Sequence, residues 1–134
     1  MIVAIPVWSD QVSTVFDFAH HILLVELDGS NEIGRSEHPL EEGPPIFRAN
    51  KLSRFGVEML ICGAISRRLA RIVASHGIEI IPFVSGTVND VLNAYLTGRL
   101  ADSLFCLPGC RPGDRKDWRR KHRFRGSVYG GKKM

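Results

Sequence analysis

The sequence predicts an α/β domain with a mixed, mostly parallel five-stranded sheet, helices on both faces, and a basic tail. Three observations carry that prediction. Short apolar runs alternate with stretches of helical period, glycine punctuates most of the junctions, and composition shifts sharply after Leu107. At 134 residues, 44% hydrophobic and 24% charged, the chain can build one compact core and not two. The expected boundaries are a folded domain over 1–107 and a Gly/Arg/Lys-rich, disordered tail over 108–134.

Taken in order, residues 2–7 form an apolar run that suits a buried strand. Residues 22–27 read as a second strand, and Asp28-Gly29-Ser30-Asn31 turns it back into a third over 32–38. Ile46, Ala49, Leu52 and Phe55 then recur at helical spacing, with Gly56 as C-cap. A strand over 57–62 leads to Ser66, which opens a helix with Leu69, Ile72 and Val73 on one face. Gly77 ends that helix, residues 78–84 form the fifth strand, and Thr87 opens a last helix closed by Gly98. Strands separated by helices of this length imply right-handed crossovers and parallel pairing. The opening hairpin contributes the antiparallel part.

Charge divides the chain in two. Residues 1–110 hold 8 basic and 12 acidic residues, a net of −4, whereas residues 111–134 hold 10 basic and 2 acidic, a net of +8. Arguments about partners therefore apply to each part separately. The tail interleaves Trp118, Phe124 and Tyr129 with its arginines, a composition that suits an acidic protein or nucleic acid. No secretory leader is expected, no run approaches the length of a membrane span, and the cytoplasm is the expected compartment. Three cysteines in such a chain point to reduced thiols rather than a disulfide framework.

In open α/β sheets ligands bind beyond the carboxyl ends of the parallel strands. Three segments are expected to meet there: the loop from Trp8 to His21, then Cys62-Gly63-Ala64-Ile65-Ser66, then Ser85-Gly86-Thr87. The last two end a strand, pass a glycine and open a helix on a hydroxyl. That is the ordinary way to cap a helix, and it also offers N–H groups and a positive helix end to an anion. Cys62 is either a small buried hydrophobe or a ligand at this mouth. His20 and His21 reach the same region, and neighbouring positions on a strand point to opposite faces. Cys106 and Cys110, with Pro108-Gly109 between them, suit a soft-metal clamp joined by Cys62 or His20, or a reversible redox pair. Dinucleotide and Walker glycine loops, the serine-hydrolase elbow and the H-E-x-x-H zinc motif are all missing, and the carboxylates do not pair at strand ends. A non-catalytic binding protein is the expectation.

The chain also resembles the dinitrogenase iron–molybdenum cofactor-binding family, which includes NifX-like domains, the C-terminal part of NifB and the orange protein of sulfate reducers. The matching segments are Ile2-Val3-Ala4-Ile5-Pro6-Val7, Ser13-Thr14-Val15-Phe16-Asp17-Phe18-Ala19, Val25-Glu26-Leu27-Asp28-Gly29, Ile61-Cys62-Gly63-Ala64-Ile65-Ser66, Gly77-Ile78-Glu79-Ile80-Ile81-Pro82 and Ser85-Gly86-Thr87-Val88. The resemblance implies a ribonuclease H-like three-layer fold without nuclease activity. It further implies transient binding of an iron–sulfur or molybdenum-containing metal–sulfur cluster, exchanged with cofactor-assembly proteins. Taken with the strand-end mouth, it leaves Trp8, Phe16, His20, His21, Cys62, Gly63, Ala64, Ser66, Ser85, Gly86 and Thr87 as the expected site positions, Trp8 being less usual in the family. The family often has His-Phe-Gly-Arg in the first loop, where this chain reads Val15-Phe16-Asp17-Phe18.

Overall fold

Strand β1 (Ile2–Trp8) is apolar along its length because it is buried on both faces at the centre of the sheet. The chain is described as a computed structural model over residues 1–100 and 105–107, so Cys110 and the basic tail lie outside the described residues. After β1 come a two-residue strand β2 (Gln11–Val12), a 3-10 turn (Phe16–Phe18), and the hairpin β3 (His21–Asp28) and β4 (Asn31–Pro39). Gly29, at φ +64°, supplies the left-handed position of the hairpin turn. Helix α1 (Pro45–Arg54), strand β5 (Val57–Ile61), helix α2 (Arg67–Ser75), strand β6 (Glu79–Ile81) and helix α3 (Val88–Leu96) complete the fold.

The sheet runs β4-β3-β1-β5-β6, and β2 folds back against Val7 and Trp8 of β1. Sheet and helices form three layers. Ala4, Leu24, Leu60 and Cys62 face α1 and α2, packing on Ala49, Leu52, Leu69 and Val73. Val3, Ile5, Val25 and Ile61 face the other way, against Val88, Val91 and Leu92 of α3.

The sheet is mixed, but the expectation of mostly parallel pairing needs correction. β1 with β2, β1 with β3, and β3 with β4 pair antiparallel, and only β1 with β5 and β5 with β6 pair parallel. The expectation treated each helix as a crossover between neighbouring parallel strands. Only α2 is one: α1 instead carries the chain from the edge strand β4 across to β5. The sheet also has six strands rather than five, because the first loop contributes β2. Strand six is shorter than its apolar run, since Phe83 turns to φ +64° and breaks the extended path. Val84 then bridges Cys106, so the described residues after α3 return beside this edge.

A candidate binding mouth at the strand ends

Strands β1, β5 and β6 point the same way, so Trp8, Cys62-Gly63 and Ser85-Gly86 emerge at one end of the sheet. The first loop is stitched across both strand-to-helix turns there. Val12 N donates to Gly86 O at 3.0 Å, and Val88 N donates to Asp10 O at 2.8 Å. Ala64 N donates to Thr14 O and Phe16 N to Ala64 O, each at 2.8 Å. Gly63 is required by this closeness: a Cβ there would stand 2.4 Å from Thr14 O and 2.6 Å from Ser13 O. Gly86 is required by conformation, at φ +134°.

Both expected hydroxyl caps form. Ser66 Oγ accepts from Leu69 N at 3.2 Å and Thr87 Oγ1 from Asp90 N at 3.3 Å. The start of α2 is met by the chain's own carboxylate, because Ser66 N donates to Asp17 Oδ1 at 2.8 Å. Ser85 N likewise donates to Phe105 O at 2.9 Å. Several of the N–H groups that these turns offer are therefore engaged within the protein.

An open cavity of about 300 Å³ lies under the first loop, lined by Trp8, Gln11, Ser13, Thr14, Phe18 and His20 among others. Trp8 is 69% exposed and Phe18 76%, so two large aromatic rings stand at this mouth in water. His20 lines the cavity and His21, the next residue in the chain, does not. Ala64, Ser85, Gly86 and Thr87 are half-buried at the turns beside it.

Other expected site residues are placed differently. Phe16 is fully buried in the core, with the Arg48 guanidinium 5.8 Å from its ring centroid. The Cys62 side chain is fully buried in the layer beneath α1 and α2. Cys106 is half-buried and pairs with Val84, which packs in the opposite layer. Among the described residues, no three His, Cys, Asp or Glu side chains gather as a metal-binding group. A larger cavity of about 600 Å³ runs along α1, but none of the expected site residues lines it.

Sequence reasoning did not anticipate Arg48, which the structure uses to brace the mouth. Its Nη1 donates to Ala19 O at 2.7 Å and to Phe16 O at 3.4 Å, tying the 3-10 turn to α1. Burial pushes its guanidinium below the ordinary arginine value, and the charges of Asp17 and Glu42 oppose that shift. An arginine inside an otherwise apolar helix stripe was the available signal. Asp17 had none, since its partner lies 49 positions away.

Comparison with known proteins fits this architecture. A solved protein of Methanocaldococcus jannaschii, provisionally assigned as a dinitrogenase, superposes with a TM-score of 0.64 at 22% identity, over 75% of this chain and 91% of that one. A Thermotoga protein provisionally assigned as a NifB protein superposes with a TM-score of 0.57 at 27% identity, over 73% and 89%. No curated protein matches the chain. The family described as dinitrogenase iron-molybdenum cofactor matches residues 1–98, well over half of the sequence, and the chain belongs to that family.

Proposed function

We propose that the protein is a non-catalytic carrier that holds an anionic metal–sulfur cluster, iron–sulfur or molybdenum–sulfur, at the strand-end mouth and exchanges it with cofactor-assembly proteins. The observation that carries the reading is the cavity itself: a family member with an open space of about 300 Å³ at its strand ends, lined by one imidazole and two exposed aromatics. Neutral imidazole ligates iron and similar metals. The indole N–H of Trp8, the amide of Gln11 and the hydroxyl of Thr14 are donors suited to sulfide acceptors. Trp8 and Phe18 form walls that shield the cargo from water. Cys62, deep in the core, is proposed as packing that shapes the floor rather than as the first contact. The sheet order supports the ribonuclease H-like architecture that the resemblance implies.

Anaerobic incubation of the full chain with iron, sulfide and tetrathiomolybdate tests this. Stoichiometric metal and sulfide retention with a visible charge-transfer band is expected. A protein that stays colourless and metal-free under every loading condition overturns it.

A further inference from the structure

The outer face of α2 carries three arginines that form no ion pair among the described residues, the Asp17 carboxylate at the helix start being bound to the Ser66 N–H instead. Arg67, Arg68 and Arg71 are all exposed, and none makes an ion pair or side-chain hydrogen bond among the described residues. At about 100° per residue they fall within about 100° of arc on one side of the helix. The opposite side, with Leu69, Ala70 and Val73, is buried against the sheet.

This placement runs against helix electrostatics. Arg67 and Arg68 occupy the first turn, where the helix dipole is positive and acidic residues are favoured, and α2 has no acidic residue there. Arg67 with Arg71 and Arg68 with Arg71 are like-charged neighbours at i,i+4 and i,i+3. Of the domain's other cations, Arg54 and Arg99 are also exposed without an ion pair among the described residues. They are not clustered on one helix face, and Arg54 lies in the last turn of α1, where a cation is favoured. The remaining three are engaged. Arg35 is paired with Glu32, Lys51 with Glu41, and Arg48 is buried against two carbonyls. Charge that costs stability and is concentrated on one face, in a domain of net −4 over residues 1–110, marks a surface kept for a partner.

We propose that this face of α2 docks an acidic segment of a protein partner. Three cations spaced over about 6 Å of helix axis match carboxylates at i, i+3 and i+4 of a partner helix, which places charge opposite charge over about one turn. The negative domain behind the patch disfavours a nucleic acid, whose phosphates would extend past the arginines. The patch begins at the residue after Ser66, whose N–H binds Asp17 of the first loop, so a docked partner lies at the rim of the mouth. The inference rests on charge placement and stands whether or not the mouth holds a cluster.

The test uses the full chain and a synthetic helical peptide bearing Glu at i, i+3 and i+4, titrated at 0.1 M salt. The unaltered chain binds it, and R67Q/R68Q/R71Q weakens binding at least tenfold. R54Q/R99Q, which removes two other exposed cations and leaves the tail intact, changes binding less than twofold. The triple variant melts at the same temperature as the parent or higher, since it relieves repulsion, whereas arginines kept for folding would lower it. No binding by the unaltered chain, equal binding by the triple variant, or equal losses in both variants overturns the proposal. Tighter binding of a single-stranded oligonucleotide through the same three arginines overturns the assignment to a protein partner.

Discussion

The Asp17 carboxylate accepts a hydrogen bond from the Ser66 backbone N–H at 2.8 Å, joining the first loop to the start of α2 across 49 positions. A helix start attracts anions because its first N–H groups lack partners and its dipole is positive. In this chain an internal carboxylate meets that demand. Asp17 thus couples the geometry of the mouth to the stability of α2.

Replacing Asp17 by Ala removes that contact and leaves two arginines at an uncompensated helix end. The expected loss is about 0.5–2 kcal/mol, the range measured for helix N-terminal caps. Asp17→Asn keeps an acceptor and loses less. Urea unfolding of the two variants beside the parent checks the order.

Gly63→Ala is expected to be costlier than its size suggests. The new Cβ would meet Thr14 O and Ser13 O at 2.4 and 2.6 Å, and both are backbone atoms that cannot rotate away. Relieving the clash displaces the first loop, at about 1–3 kcal/mol. The Ala64 amide, which donates to Thr14 O, should then lose protection in hydrogen exchange while Val91 in α3 keeps its own.

Arg48→Met keeps much of the aliphatic stem but withdraws the donors that hold Phe16 O and Ala19 O. Phe16 O keeps its bond from Ala19 N, so Ala19 O is the buried acceptor left unpaired, at a cost of about 1–3 kcal/mol. Chemical unfolding measures the loss, and amide exchange at Ala19 should rise more than at Leu60 in the sheet.

Glu32 provides a pH-dependent contact. The hydrogen bond from Arg35 holds its carboxyl below the ordinary glutamate value, while Arg35 also donates to Asn89 of α3 at 3.0 Å. Because the folded-state value is the lower one, the contribution is full above the unfolded value of about 4.3 and fades as pH falls through the folded value. The pair is exposed, so it contributes about 0.2–1 kcal/mol. The stability difference between parent and Glu32→Gln should be present at pH 6 and shrink steadily as the pH is lowered below about 4.3.

Much of the fold was legible because it rests on local signals. The Asp28-Gly29 turn marked the hairpin, and Ser66 with Gly77 and Thr87 with Gly98 bracketed two helices that end at positive φ. Strand order was not legible, because α1 returns from the sheet edge and nothing within its sequence states where it lands. Of the residues proposed from the sequence, Trp8 and His20 line the candidate cavity, whereas the two glycine turns hydrogen-bond to the first loop without lining it. The site's inner arrangement depends on contacts between distant residues, Asp17 to Ser66 and Arg48 to Ala19, which no spacing rule encodes. Cys62 invited a ligand reading by its place at a strand end, yet it faces the layer under α1 and α2.

The central claim is that the mouth beside Trp8 and His20 holds the cargo. With Trp118 replaced by Phe, Trp8 becomes the sole tryptophan, and its fluorescence can be followed during anaerobic titration with tetrathiomolybdate. The account predicts saturable quenching that reaches its end point near one equivalent, and at least tenfold weaker binding after His20→Ala. Metal retained by the protein with Trp8 emission unchanged, or identical titrations with and without His20, would contradict it.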